Sequence, residues 1–257
     1  MHSFLRLTVL LAIFICSEGN SLSRIIGGQS IPISDVPWQA SLQRLGSHIC
    51  GASFIHNKWL VTAAHCVNNQ NKNDLSVGYG DADKRNHKTA SILSITMHPQ
   101  YEENGSKGYP NDVALLELTS PVSFDSNTNK VALPRSSNTL TNCAITGWGC
   151  TNNILGFCTS TPNLLQGTTI TKIQPDACKS LWSDTQIQAI HVCVNEADKS
   201  GCNGDSGGPL SCYQDGGIVL AGATSWGSST CSSDYPTVYA RISEFVGWID
   251  ATTGYVL

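Results

Sequence analysis

Residues 204–209 read Gly204-Asp205-Ser206-Gly207-Gly208-Pro209, with Cys202 just before them and Cys212 just after. Such a run is neither a regular helix nor a strand. Its glycines open backbone conformations closed to other residues, and Pro209 has no N–H to donate. It describes a tight loop pinned at both ends. A loop of this kind can expose the Ser206 hydroxyl and aim backbone N–H groups at one point, which is what a nucleophile with an oxyanion hole requires. A plain turn is the competing reading, and the rest of the chain has to decide.

At 257 residues the chain is long enough for one large all-β domain or two smaller ones with a sizeable core. Charged residues make up 13% and the formal net charge is −4, so it lacks the basic character of a nucleic-acid binder. Glycine is frequent, at 23, and the apolar runs are short and broken by Gly, Asn, Ser and Pro. That texture favours β-structure with many turns over a helical bundle.

Residues 1–19 differ from the rest. Arg6 precedes an apolar block at 7–16, and Ser17-Glu18-Gly19 follows it. A membrane-spanning helix needs roughly twenty apolar residues. A basic start, a shorter apolar run and small residues read instead as a secretory signal peptide, with an amphipathic first helix as the alternative. No second apolar run is long enough to span a bilayer, so a secreted, extracellular protein without membrane attachment is expected. Cys16 lies in that leader. The other cysteines, at 50, 66, 143, 150, 158, 178, 193, 202, 212 and 231, are even in number, which suits disulfides in an exported chain. Zinc is the competing use, but the Cys-x2-Cys and His-x3–5-His spacings are missing.

Residues 20–24 end in Arg24 and lead into Ile25-Ile26-Gly27-Gly28. A cut after Arg24 would free an ammonium on Ile25; an incidental arginine in a flexible terminus is the plainer reading. Residues 36–67 hold short runs rich in β-branched and aromatic residues, the last closing on Thr62-Ala63-Ala64-His65-Cys66. The small residues there allow tight packing while presenting His65 at a strand end. His2, His48, His56, His87, His98 and His191 have no such setting. The turn-rich stretch 68–88 holds Asp74, Asp81 and Asp83, but without EF-hand spacing, and reads as a solvated loop. Asn104-Gly105-Ser106 is an N-glycosylation acceptor sequence.

Asn111-Asp112 opens a nearly continuous apolar run through Leu118. A carboxylate there is half buried and needs a hydrogen-bonding partner. A histidine is the informative candidate, and a turn-capping role is the alternative. Further strand-like runs at 143–146, 168–173, 218–225 and 237–242 suggest a second β-unit. Apolar residues at 245, 246, 248 and 249 suit a short terminal helix.

Taken together, these segments resemble the chymotrypsin-like serine endopeptidases, the trypsin, chymotrypsin and elastase family, from Ile25 to the C-terminus. The resemblance rests on Ile-Ile-Gly-Gly at 25–28, Thr-Ala-Ala-His-Cys at 62–66, Asn-Asp-Val-Ala-Leu-Leu at 111–116, Gly-Trp-Gly at 147–149, Gly-Asp-Ser-Gly-Gly-Pro at 204–209 and Ser-Trp-Gly at 225–227. It implies an all-β fold of two six-stranded antiparallel β-barrels, roughly 25–130 and 131–257, with the active site between them and a short C-terminal helix. It implies peptide-bond hydrolysis through an acyl-enzyme, with Ser206 as nucleophile, His65 as base and then acid, and Asp112 orienting the imidazole. Gly204 and Ser206 N–H groups would hold the oxyanion. Ser225 would approach Asp112, and Ser225, Trp226 and Gly227 would pair with the substrate backbone.

The resemblance further implies a zymogen, in which a trypsin-like protease cuts after Arg24 and the Ile25 ammonium pairs with Asp205. Family disulfides transfer to Cys50–Cys66, Cys143–Cys212, Cys178–Cys193 and Cys202–Cys231. The two cysteines outside that set, Cys150 and Cys158, are expected to form a local bridge. No cofactor is implied. Structural calcium is not expected either, since Tyr79 falls near a position where calcium-binding relatives carry a carboxylate. Implied partners are polypeptide substrates, the activating protease and protein inhibitors, with the enzyme a monomer.

Specificity turns on Ser200, Gly227 and Thr237. Ser200 occupies the pocket-base position, where tryptic relatives carry an aspartate, and a substrate cation buried there without that charge would be costly. Gly227 leaves the pocket mouth open and Thr237 obstructs its depth. The expectation is an elastase-like preference for small to medium apolar P1 residues, with a chymotrypsin-like aromatic or Leu preference as the alternative. A non-catalytic binding homologue is the alternative from another class. Such proteins lose a triad member, and His65, Asp112, Ser206 and Gly204 are all present here.

Overall fold

A computed structural model describes residues 27–135, 140–154, 157–183 and 186–256. The leader at 1–19, the segment 20–24 and Ile25 lie outside the described residues. After a two-residue strand β1 (Gln29–Ser30), the chain forms β2 (Gln39–Arg44), β3 (Ser47–Phe54), β4 (Trp59–Thr62), β5 (Leu75–Tyr79), β6 (Lys88–Met97) and β7 (Ala114–Leu118). These six close into an antiparallel barrel in the order β2-β3-β4-β7-β6-β5. Closure removes the sheet edges, so the strands are buried more completely than in an open sheet. All of β4 is buried, and β7 is too except for Glu117, which takes a hydrogen bond from Lys58 Nζ at 2.9 Å.

The second half supplies β8 (Thr141–Gly147), a small ribbon of β9 (Asn152–Ile154) and β10 (Phe157–Ser160), then β11 (Gln166–Ile170), β12 (His191–Val194), β13 (Pro209–Gln214), β14 (Gly217–Trp226) and β15 (Thr237–Arg241). They form a sheet of seven strands in the order β1-β11-β8-β13-β14-β15-β12. The chain beyond β11 returns to β12: Ile173 N–H donates to Cys193 O at 3.0 Å, and Asn195 N–H to Thr171 O at 2.9 Å. The expected second barrel is therefore present, with β1 as an added strand.

Two helices complete the fold. α1 (Pro175–Leu181) follows β11 and was not anticipated. Its sequence signals are proline and Asp176 in the first turn and Lys179 in the last, and seven residues leave little room for apolar periodicity. α2 (Val246–Thr253) is the terminal helix expected from the sequence. The two ends of the described chain cross over. β1 joins the second sheet, while Phe245 and Trp248 lie edge-on to His98 of the first barrel at 5.3 and 5.0 Å. Disulfides join Cys50–Cys66, Cys143–Cys212, Cys150–Cys158, Cys178–Cys193 and Cys202–Cys231, all as expected. Among the described residues no helix is long and apolar enough to cross a membrane.

Candidate active site

The first barrel contributes His65 and Asp112. His65 sits in a single helical turn just after β4, and Asp112 just before β7, two strands that pair side by side. Asp112 is 1% exposed and takes three hydrogen bonds: from His65 N–H at 2.9 Å, from His65 Nδ1 at 2.7 Å and from Ser225 Oγ at 2.6 Å. An ionised carboxylate only accepts, so Nδ1 carries the proton and Nε2 is left as the basic nitrogen. Burial disfavours the imidazolium. The hydrogen bond and charge of Asp112, with the charge of Glu103, outweigh it and hold the His65 pKa above 6.5. Glu103 itself accepts from Asn68 Nδ2 at 2.9 Å.

The second barrel contributes Ser206 and Ser225. The 204–209 loop is tied down on every side. Gly207 N–H donates to Thr224 O at 2.7 Å and Gly208 N–H to Asp205 O at 2.9 Å, while Gly51 N–H of the first barrel reaches Ser206 O at 2.7 Å. Gly204 and Gly207 have φ of 96° and 73°, and a side chain at Gly207 would put its Cβ 2.2 Å from Thr62 Oγ1. Glycine there is a steric necessity. Among the described residues no acceptor engages the Gly204 and Ser206 N–H groups, while those of Asp205, Gly207 and Gly208 are all bonded. Two free donors flank the serine, as an oxyanion site requires. Ser206 Oγ makes no hydrogen bond to His65 Nε2 here, and Nε2 lies 3.7 Å from Cys66 Sγ. Such bonds are commonly long in a free enzyme and tighten around substrate.

Beneath the loop, Asp205 is buried. Its carboxylate accepts from Gly149 N–H at 2.9 Å and Cys202 N–H at 3.0 Å. Burial pushes its pKa from 3.8 up to about 6, against the pull of those two N–H groups. No cation meets it among the described residues. Arg24 and Ile25 lie outside them.

A cleft of about 200 Å³ opens beside Ser206, lined by Gly201, Asn203, Trp226, Gly227, Ser228 and Thr237 among others. Thr237 projects between its walls: Cγ2 would lie 3.3 Å from a Cβ at Gly201 and 3.9 Å from one at Gly227. Its hydroxyl lies 3.3 Å from Ser200 Oγ and accepts from Gly201 N–H at 3.3 Å. Ser200, expected at the pocket base, is buried behind that contact and is not among the residues lining the cleft, all of which are uncharged. Asn203, Ser228 and Ser229 also line it and were not singled out from the sequence. Nothing in their local pattern marks them.

His48, which no local pattern singles out, is tied to the loop: Nε2 lies 3.0 Å from Gly204 O and Nδ1 lies 2.7 Å from Ser41 Oγ. A carbonyl accepts only, so Nε2–H donates and the serine hydroxyl donates to Nδ1. Burial pushes the His48 pKa down to about 4, although the Gly204 bond opposes this, so the ring stays neutral. The stretch 68–88, expected to be a solvated loop, contains β5, because Leu75 and Val77 alternate with Ser76 and bury their side chains in the first barrel. Beyond that strand the Asp83 carboxylate is taken by Arg85, which donates from its backbone N–H and from Nε. That pairing holds the carboxyl at about 2. The one group close enough to hold a metal among the described residues is Cys50, His65 and Cys66, whose sulfurs are joined as a disulfide. In the acceptor sequence, Asn104 Oδ1 takes the Ser106 N–H at 3.1 Å.

Comparison with known proteins adds independent findings. The sequence profile of the Trypsin family matches residues 25–249. The chain is 37% identical over 243 residues to "Fibrinolytic enzyme, isozyme C" of Lumbricus rubellus, covering 88% of this chain and 98% of the relative. It is 36% identical over 245 residues to "Chymotrypsin-like serine proteinase" of Haliotis rufescens, covering 88% and 90% respectively.

Proposed function

This chain belongs to the trypsin family of chymotrypsin-like serine proteases and is a serine endopeptidase; from that premise we propose that His65, Asp112 and Ser206 are its triad and that it cuts after small to medium apolar residues. The observation that carries the triad is the Asp112 carboxylate, bonded to His65 Nδ1 and Ser225 Oγ, beside a serine flanked by two unengaged N–H groups. Ser206 Oγ attacks the scissile carbonyl carbon as His65 Nε2 takes its proton. The oxyanion rests on Gly204 and Ser206 N–H. His65 then returns the proton to the leaving amine, and water repeats the sequence on the acyl-enzyme. Nothing in these steps needs a cofactor. The Ser225-to-Gly227 edge offers backbone partners to the substrate.

Thr237 supports the P1 reading, because its side chain lines the cleft close to both Gly201 and Gly227 and its hydroxyl partner Ser200 is uncharged. The open mouth at Gly227 keeps an aromatic or Leu preference as the second reading. The names of the relatives agree with polypeptide substrates and do not separate the two. The secretion reading is supported by the leader-like sequence at 1–19 and by five disulfides, which suit an oxidising compartment. Asp205 supports the zymogen reading: a buried carboxylate is costly without a cation, and an ammonium freed at Ile25 by a trypsin-like protease would supply one. The mature enzyme acts as a monomer open to protein inhibitors. A fluorophosphonate probe tests the triad: after a cut at Arg24 it labels Ser206 in the wild type and not in His65→Ala. Absence of labelling would favour a non-catalytic binding protein. Peptide anilides differing only at P1 test specificity, with best turnover on Phe or Tyr counting against the shallow pocket.

A further inference from the structure

Asp112 is delivered by an unusually wound loop. Gly108, Tyr109 and Asn111 have φ of 71°, 51° and 57°, so two residues with side chains sit in the left-handed region just before it. Such a backbone persists only when its surroundings hold it. Part of the hold is internal, with Tyr109 N–H donating to Asn104 O at 3.0 Å and Asn111 Nδ2 to Gln100 O at 2.9 Å.

The rest comes from the other barrel, from the segment between α1 and β12. Gln186 Nε2 donates to Gly105 O at 3.1 Å, and Gln188 Nε2 donates to Lys107 O at 2.9 Å. The Gln186 side chain is itself oriented, because its Oε1 takes the Ser183 Oγ hydroxyl at 3.0 Å. Gly108 is seated without clearance, and a Cβ there would fall 2.0 Å from Gln186 O. Two glutamine side chains of one barrel thus spend their N–H donors on backbone carbonyls of the other, just upstream of Asp112.

The geometry of the triad is a relation between barrels, since His65 and Asp112 stand on the first and Ser206 on the second. Ser225 ties the two at the carboxylate by one hydroxyl, and Gly51 ties them at Ser206 O. The glutamines grip the backbone that carries Asp112. We propose that Gln186 and Gln188 are positioning residues for catalysis, clamping the 104–109 loop so that Asp112, and through it His65, stays in register with Ser206. The proposal rests on the triad reading above. Displacement by about 1 Å can cost on the order of 100-fold in rate, so a partial loosening is expected to cost about tenfold.

Gln→Met and Gln→Lys variants at 186 and 188 test this in the activated full chain. Methionine keeps the length and removes the donor, whereas lysine keeps a donor. Rates are expressed per active site by fluorophosphonate titration, and a single-residue ester substrate avoids contacts with the loop. The expected result is a kcat about tenfold lower in Gln186→Met/Gln188→Met, with KM little changed and the acid limb of kcat/KM moved to lower pH. Gln188→Lys, which keeps a donor, should lose less kcat than Gln188→Met, and equal losses would count against the hydrogen bond as the means of positioning. Unchanged kcat and acid limb in the double methionine variant would overturn the proposal, as would a fall in Tm alone. If the wild type takes up no probe, the triad reading fails instead, and the two failures are distinguishable.

Discussion

Ser225 Oγ donates to Asp112 Oδ2 across 2.6 Å, and the two residues belong to opposite barrels. The bond gives a buried carboxylate its third donor and makes the orientation of His65 depend on how the barrels meet. A hydrogen bond to a charged group contributes about 1.5–3 kcal/mol. Ser225→Ala is expected to lower kcat about tenfold with little change in KM, because the Asp112 charge matters most when His65 becomes imidazolium. Steady-state kinetics check this, and a purely KM effect would contradict it.

The acid limb of activity reports His65. Only the neutral imidazole can take the Ser206 proton, so activity falls as pH drops through the His65 pKa. Burial opposes the charged ring, but Asp112 and Glu103 prevail, so the limb should lie above pH 6.5. Glu103→Gln removes one of the raising charges and is expected to move the limb to lower pH. A pH profile of kcat/KM measures both; an unmoved limb in Glu103→Gln would contradict the assignment.

Asp205 makes the uncut and activated forms respond oppositely to pH. Burial raises its carboxyl to about 6, so the folded uncut chain favours the protonated acid. Its stability should fall as pH rises from about 4 to about 6, by on the order of 3 kcal/mol. In the activated enzyme the Ile25 ammonium, with a reference pKa of roughly 7.7–8.0, is raised by pairing. Its contribution is full below that reference value and is lost as pH rises through the higher folded one. Tm of uncleavable Arg24→Gln should therefore rise on acidification from pH 7 to 5, while the activated enzyme loses activity at alkaline pH. Asp205→Asn should flatten the first trend. Identical Tm curves for Arg24→Gln and Arg24→Gln/Asp205→Asn would contradict this account.

Thr237 lines the cleft beside Ser206, close to Gly201 and Gly227. Thr237→Gly removes the group lying between Gly201 and Gly227 and is expected to raise kcat/KM on Phe relative to Ala at P1 by about 10- to 100-fold, within the roughly 1–3 kcal/mol that small pocket changes supply. A panel of anilides measures the ratio, and an unchanged ratio would place the limit elsewhere.

Cys150–Cys158 closes a short loop beside Gly149, the residue whose N–H binds Asp205. Opening so short a loop costs about 2.5 kcal/mol in the chain-entropy view. Cys150→Ser/Cys158→Ser should be cleaved faster within 151–157 under limited proteolysis while retaining most of its activity per labelled Ser206. Equal cleavage rates would show that the bridge does not restrain the segment.

Many of the strands and the order of the chemistry-bearing residues were legible before any coordinates, whereas β5 was hidden in a turn-rich stretch and the cystine pairs followed from the family resemblance rather than from local sequence. Short β-branched runs between turn formers report backbone preference directly. The glycines of the 204–209 loop admit backbone conformations closed to other residues and with Pro209 rule out a regular helix or strand, and Asp112 at the head of an apolar run announces a buried acid in need of a partner. Local sequence carries this information because adjacent residues share one backbone.

The tertiary structure decided which of these residues meet. Ser225 and Asp112 are 113 positions apart, and His48 and Gly204 156, so their contacts exist only once both barrels have closed and docked. Nothing around His48 says that it will hold the carbonyl of an oxyanion glycine. Nothing near Gln186 or Gln188 says that their amides will grip the loop before Asp112. Likewise, the family resemblance implies Thr237 as an obstruction, while its bonds to Ser200 and Gly201 show how it is held. A hydrogen bond needs its partners within about 3 Å in a set orientation, and for residues so far apart along the chain only the packed fold supplies that.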